Sequence, residues 1–216
     1  MSNNYKISVI MPSFLGVRAD RTDNLPKKFR RAVNSALNQS YTNFELIIIS
    51  DGCQETNKIL KTEYNQYLKS GKIKLIELPK HEAFDGRVRQ TGIDRASGVV
   101  LVNLDADDSF LPNHLWNIKT AFDPTMYQWA YFNVYRKLDN LKGIEELLSA
   151  TPDLDSLFTT NVIWRKDLDV TWVGANGLQD NKAFNKQLLD KYKNKVKLYG
   201  CGYVIHHSNI SHLESN

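Results

Sequence analysis

The chain has 216 residues, 42% hydrophobic and 24% charged, the proportions of a globular protein rather than a disordered or fibrous one. Its 28 basic against 24 acidic residues leave a net charge of +4, too mild to argue for nucleic acid but compatible with anionic ligands or anionic lipid. No window nears the roughly 20 apolar residues of a membrane span, the first residues do not read as a signal peptide, and Cys53 and Cys201 lack any CxxC or metal-ligand spacing, so the expectation is a soluble cytoplasmic protein with two free thiols.

In chain order, Ile7 to Met11 is short, β-branched and stopped by Pro12, the pattern of a strand. Leu25, Phe29, Val33, Ala36 and Leu37 recur at helical spacing after the break at Pro26. Phe44 to Ile49 has the near-continuous hydrophobicity of a strand buried on both faces. A helical stretch with Ile59, Leu60, Tyr64, Tyr67 and Leu68 ends at Gly71, and Ile73 to Leu78 reads as a third strand. Arg87 to Ala96 reads as a helix closed by Ser97-Gly98, and Val99 to Leu104 as a fourth strand.

Strands alternating with helices at these lengths imply βαβ units and a mostly parallel central sheet flanked by helices, an α/β fold. Ligands of such sheets bind beyond the carboxyl ends of the strands. Three unusual segments fall on that rim: Pro12-Ser13-Phe14, Ser50-Asp51-Gly52 and Asp105-Ala106-Asp107-Asp108. After Pro112 aromatic residues become dense, and strands are expected over Gln128 to Tyr135, Leu157 to Arg165 and Val196 to His206, with a helix over Asp180 to Tyr192. No linker-like composition separates the halves, so one domain is expected, residues 1–110 forming a nucleotide half and 111–216 an acceptor half.

Three carboxylates in four residues repel one another unless a cation shares them. A divalent metal removes that penalty and lets the spot hold phosphate oxygens. The alternative is an acidic turn that caps the helix entered at Pro112. If the backbone is extended here, Asp105 and Asp107 point to one side and Asp108 to the other, where it is expected to be structural.

The order VIMPSF, FELIIISDGCQE, GRVRQTGIDRASG, VVLVNLDADD over residues 7 to 108 resembles the family 2 glycosyltransferases of the GT-A fold. GLQD at 177 to 180 and HHSNISH at 206 to 212 extend the likeness more loosely. The resemblance implies a Rossmann-like single domain and an inverting transfer of a sugar from a nucleotide-diphosphate donor, with a UDP-sugar expected. It implies that Pro12, Ser13, Phe14 and Asp51 hold the nucleoside; the family usually has two acids before the glycine, and here Ser50 stands in place of the first. A turn after a strand also explains Asp51-Gly52. Arg89 matches the arginine of the family's Ala-Arg-Asn-x-Gly helix start, a fork for diphosphate oxygens.

By the same likeness Asp105 faces the ribose, with Ala106 beside it, and Asp107 binds a metal, Mn²⁺ or Mg²⁺. Registering Asn209 and Ser211 on the closing H-x-x-[SN]-x-S pattern selects His206 over His207 as a further ligand, which tilts the choice toward Mn²⁺. The Gly-x-Glu-Asp pattern falls on Gly177-Leu178-Gln179-Asp180 and assigns Asp180 as the catalytic base that deprotonates the acceptor hydroxyl; an Asp before a helix is also an ordinary N-cap. Trp172 is read as a core residue ahead of a sugar-stacking one. The acceptor stays open between a glycan, a lipid-linked glycan, a protein and another hydroxyl, with peripheral membrane contact allowed. A nucleotidyltransferase and a non-catalytic nucleotide-sugar-binding module are the alternatives; the first lacks its usual glycine-rich basic loop, since residues 11–18 contain one glycine.

Overall fold

A computed structural model describes residues 4–16, 24–80, 86–138, 146–172 and 181–207. Its first half follows the alternation read from the sequence: β1 (Ile7–Ser13), α1 (Leu25–Leu37), β2 (Phe44–Asp51), α2 (Gln54–Glu63), α3 (Asn65–Lys69), β3 (Ile73–Leu78), α4 (Arg87–Arg95) and β4 (Val100–Asn103). The helical stretch before Gly71 is two helices rather than one, parted at Tyr64. The start of α1 has a local cause: the Asn24 side chain accepts from the Lys27 N–H, and proline stands in the first turn, where a missing N–H costs nothing.

The second half comprises β5 (Ser109–Phe110), α5 (His114–Ala121), β6 (Trp129–Phe132), β7 (Val134–Leu138), β8 (Glu146–Leu148), β9 (Val162–Arg165), α6 (Asn181–Lys191), β10 (Lys195–Leu198) and β11 (Tyr203–His207). Two stretches expected as single strands are each divided between two sheets. Gln128 to Tyr135 becomes β6 and β7, parted at Asn133, and Val196 to His206 becomes β10 and β11, parted at Gly200 to Gly202. Leu157 to Arg165 contains a short 3₁₀ turn, Thr159–Asn161, before β9 begins.

The main sheet has seven strands in the order β10-β6-β9-β4-β1-β2-β3. All run parallel except β9, which is antiparallel to both β4 and β6. A smaller sheet, β5-β11-β7-β8, stands beside it. The two-residue period of the strands sends alternate side chains into two separate cores. Val9, Met11, Leu46, Ile48, Val100 and Val102 meet Phe29 and Val33 of α1, Ile59 and Leu60 of α2 and Leu115 and Ile118 of α5. Ile10, Ile47, Ile49, Leu101 and Trp164 meet Val88 and Ile93 of α4 and Phe184 and Leu188 of α6. The result is a helix–sheet–helix sandwich.

Trp172 belongs to the second core, 2% exposed and stacked on Phe184 with ring centroids 4.6 Å apart. Cys53 and Cys201 are both free and buried, as their spacing suggested. Among the described residues, no helix is long and apolar enough to cross a membrane.

Candidate active site

The chain order changes direction at β1, whose neighbours β2 and β4 lie on opposite sides. β1 pairs with β2 as far as Ser13↔Ser50, but with β4 only as far as Ile10↔Asn103. Beyond Leu104, whose N–H donates to the Ile10 carbonyl at 2.9 Å, β4 has no further pairing with β1, and the two part at the carboxyl edge, the place where α/β folds bind ligands. Pro12 falls past the last β4 partner, where its missing N–H disturbs no ladder on that side.

The part of the rim where the resemblance expects a nucleoside is built from β1 and β2. The Ser13 hydroxyl lies 2.9 Å from that of Thr56 in α2, and the Leu15 N–H donates to the Cys53 thiol sulfur at 3.2 Å, so the two loops are tied together. Ser50, where the resemblance expected a first acid, is structural, since its hydroxyl donates to the Cys53 carbonyl and accepts from the Cys53 N–H. That closes the turn through Gly52, whose φ is +62°. Asp51 stays at the rim, with the Lys80 ammonium 2.6 Å from its Oδ2. The same ammonium lies 4.1 Å from the centre of the Phe14 ring.

The acidic run is a turn, not an extended segment. The Asp108 N–H donates to the Asp105 carbonyl at 3.1 Å, so the i, i+2 convergence expected of an extended backbone does not apply. Asp105 Oδ1 accepts from Arg89 at 2.7 Å, which brings the α4 arginine onto the acid that follows β4. The Asp107 carbonyl accepts from Arg31 of α1 at 2.5 Å.

Asp108 is buried beneath the turn and caps no helix. Its carboxylate is 5% exposed and accepts from the Tyr203 hydroxyl at 2.8 Å and from the His206 N–H at 3.0 Å. Burial, and then the charges of Asp105 and Asp107, push its pKa well above the usual carboxylate range. Tyr203 also accepts from the Asp105 N–H at 3.1 Å, so one buried hydroxyl holds both ends of the turn. Its own pKa is driven up by burial and by the acids it touches.

His206 is thereby held by its backbone to the acidic turn, and its Nε2 lies 2.9 Å from the Ser109 hydroxyl. Carboxylate oxygens with an imidazole nitrogen make a donor set suited to Mn²⁺ or Mg²⁺. Among the described residues no three His, Cys, Asp or Glu side chains group tightly enough to hold a cation alone. Asp180 and the GLQ that precedes it, the side chain of His207, and Asn209 and Ser211 lie outside the described residues.

Ser13, Phe14, Asp51, Arg89 and the Asp105–Asp108 turn thus converge from four elements on one edge. Sequence reasoning missed Lys80, Arg31 and Tyr203. Each acts across a long sequence separation (29, 76 and 95 residues to Asp51, Asp107 and Asp108) and carries no motif of its own.

Comparison with known proteins places the sequence and the fold. A "UDP-Glc:alpha-D-GlcNAc-diphosphoundecaprenol beta-1,3-glucosyltransferase WfgD" of Escherichia coli is 27% identical over 113 residues, 52% of this chain and 39% of that protein. An uncharacterised glycosyltransferase of Haemophilus influenzae is 34% identical over 107 residues, 50% of this chain and 38% of that one. The chain thus matches less than half the length of either relative. Among solved structures, S. aureus TarS 1-349 in complex with UDP-GlcNAc superposes with a TM-score of 0.69 over 98% of this chain and 61% of that one, at 19% identity. GalNAc-T7 with UDP, GalNAc and Mn²⁺ gives 0.67 over 97% of this chain and 45% of that one, at 12% identity. These likenesses establish the GT-A fold. The model of glycosyl transferase family 2 matches residues 8–196, most of the chain, and the chain belongs to that family.

Proposed function

We propose that this chain is the catalytic domain of an inverting glycosyltransferase that moves a sugar from a UDP-sugar to an acceptor hydroxyl. The observation that carries the reading is the placement of Asp51 after β2 and Asp105 after β4 on the same carboxyl edge of the sheet, with Arg89 of α4 seated on Asp105 at 2.7 Å. Pro12, Ser13 and Phe14 flank the base, and Asp51 accepts its N–H. Asp105 and the Ala106 backbone beside it receive the ribose, and Arg89 turns its fork to the diphosphate. Residues 1–110 supply this donor site, and 111–216 the acceptor side.

Asp107 and His206 would hold Mn²⁺ or Mg²⁺. When bound, such an ion neutralises charge on the departing diphosphate. Asp180 takes the proton from the acceptor oxygen as that oxygen attacks the anomeric carbon from the face opposite the leaving group. The donor assignment draws support from the UDP and UDP-GlcNAc complexes of TarS, and the metal from the Mn²⁺ complex of GalNAc-T7. The acceptor is a hydroxyl of a glycan, a lipid-linked glycan or a protein, and the proposed setting is the cytoplasm, with peripheral membrane contact where the acceptor is lipid-linked.

The test is nucleotide-dependent thermal stabilisation with and without Mn²⁺, followed by mass spectrometry of UDP-sugar hydrolysis. Metal-dependent stabilisation by UDP, slow donor hydrolysis and loss of turnover in Asp180→Asn are expected. Metal-independent binding without any turnover would instead make the chain a nucleotide-binding module, and an active Asp180→Asn would remove the base assignment.

A further inference from the structure

We propose that Trp172 is a positioning residue of the donor site, its indole face holding the Arg89 guanidinium in place for the diphosphate. The inference rests on the transferase reading above and concerns a residue outside the recognised motifs. Trp172 is a core residue, yet its ring has a neighbour that is not part of the core. The Arg89 guanidinium carbon lies over the indole, 5.3 Å from the ring centre, inside the roughly 6 Å at which a cation is drawn to an aromatic face.

Arg89 needs such a support. Its side chain is 17% exposed, and among the described residues it meets one acid, Asp105, at 2.7 Å. Its Nη1 is buried and finds no acceptor among those residues. A guanidinium carries five N–H donors on a long stem, and one bond to one carboxylate leaves its plane free to turn. An aromatic ring removes that freedom, because its face attracts the cation and its edge does not. The head of Arg89 is therefore set by two groups, the Asp105 carboxylate and the Trp172 ring. An arginine ordered before the diphosphate arrives loses less rotamer freedom on binding it.

The ring is itself clamped. It stacks on Phe184 of α6, with planes 13° from parallel. The Trp172 N–H donates to Gln90 Oε1 at 2.9 Å, and the Thr171 hydroxyl donates to the same oxygen at 3.1 Å. Gln187 of α6 completes the clamp, accepting the Thr171 N–H at 3.1 Å and donating to the Thr171 carbonyl at 2.8 Å. Gln90 follows Arg89 directly in α4, so the helix that carries the arginine also pins the backbone that carries the tryptophan. A Cβ on Gly86, just before that helix, would overlap the Trp172 carbonyl oxygen, a measure of how closely the two segments are drawn together.

The experiment is calorimetric titration of UDP, in Mn²⁺, into the whole chain and its Trp172→Leu, Trp172→Phe and Arg89→Met variants and the Arg89→Met, Trp172→Leu double variant. Thermal midpoints serve as the folding control. Loss of one partly buried cation–π contact predicts about fivefold weaker UDP binding in Trp172→Leu. Trp172→Phe keeps a smaller aromatic face and should fall between that variant and the wild type. In the Arg89→Met background Trp172→Leu should cost no further affinity, because the group it positions is gone. A tryptophan that only fills the core would cost the same factor in both backgrounds; that result, or an unchanged affinity in Trp172→Leu, overturns the inference. Should Trp172→Leu fail to fold, Gln90→Met loosens the clamp and leaves the core side chains in place. Weaker UDP binding in Gln90→Met only when Arg89 is present supports the inference, and unchanged affinity overturns it. By the ring current of the indole, the Arg89 side-chain protons should resonate upfield in the wild type of where they do in the folded Trp172 variants that lack it. Absence of that shift overturns the inference. If the shift is present but the wild type binds no nucleoside diphosphate, it is the transferase reading that fails.

Discussion

The hydroxyl of Tyr203, the first residue of β11, donates to Asp108 Oδ2 at 2.8 Å and so fastens the smaller sheet to the acidic turn after β4. The same oxygen accepts the Asp105 N–H. Tyr203 is fully buried, against Phe110 and His114.

Tyr203→Phe keeps the ring and removes only these two bonds, leaving the Asp105 N–H and one Asp108 oxygen without their partner. Unsatisfied buried groups cost about 1–3 kcal/mol each, so urea unfolding should show a loss of at least about 1 kcal/mol. Because the bonds position Asp105, metal-dependent UDP binding should weaken in the same variant. A variant with wild-type stability and wild-type UDP affinity would show that the tyrosine merely fills space.

Gly52→Ala probes the close approach of β2 and β3. At φ +62° an alanine adopts the left-handed region, which costs about 1–2 kcal/mol, and its Cβ would collide with the Lys80 backbone. Stability in urea should fall by at least about that amount. UDP affinity should fall with it, since Lys80 and the Asp51 loop must separate. If stability drops while UDP binding is untouched, the strand ends do not shape the base site.

The first half of the fold is legible in the sequence because β1, β2 and β4 are buried on both faces, while β3, at the sheet edge, is only partly buried. Phe44 to Ile49 and Ile73 to Leu78 announce themselves as short, β-branched, largely apolar runs between helices, interrupted by Glu45 in the first and by Lys74 and Glu77 in the second. The second half is harder for a physical reason: β6 and β7 continue one apolar stretch, yet belong to different sheets. The division falls at Asn133, whose side-chain oxygen accepts the Ala150 N–H, a partner 17 residues away. The division of β10 from β11 does leave a trace, in Gly200 and Gly202. Gly200 takes φ +73°, and a Cβ on Gly202 would meet Leu111 at 2.6 Å.

The site divides in the same way. Asp51, Arg89 and Asp105 stand in motifs that a reader of sequence can register. The conformation of the acidic run could not be read, because it is set by Tyr203 and by the His206 backbone, both far along the chain.

His114 offers a pH test away from the donor site. Its imidazole is fully buried, stacked on Phe110 at 4.2 Å, and its Nδ1 accepts the Gly202 N–H at 3.0 Å. Burial pulls its pKa down from 6.5 to about 3. A group that must stay neutral in the fold but protonates freely when unfolded gives stability that is present above pH 6.5 and lost as pH falls toward 3. His114→Phe keeps the packing and leaves the Gly202 N–H unpaired, so it should be less stable than wild type by about 1–3 kcal/mol at pH 7.5. The gap should narrow steadily below pH 6.5, because only the wild type loses stability by this route. A gap constant from pH 7.5 to 5 would mean that His114 is not held neutral.

Glu45 makes the corresponding test for an acid, near the start of β2 and so at the sheet end opposite the acidic turn. Its side chain is 1% exposed, yet it is ringed by donors: Ser8 Oγ at 2.6 Å, the Ser97 N–H at 2.6 Å, Lys74 at 2.7 Å and Lys6 at 3.2 Å. Burial alone would raise its pKa; the bonds from Lys74, Ser8 and Ser97 outweigh that and bring it down from 4.5 to about 2. The sign is that of a depressed acid. The stabilisation is complete above pH 4.5, declines as pH falls from 4.5 to 2, and is gone below that. A displacement of this size corresponds to about 3 kcal/mol at neutral pH, as an order of magnitude. Glu45→Gln keeps the shape but turns an N–H₂ toward donors, so its urea midpoint at pH 7 should fall accordingly. Its deficit against wild type should shrink between pH 4.5 and the lowest pH at which both still fold. A variant as stable as wild type at pH 7 would show that the two lysines do no more there than solvent does for an exposed carboxylate.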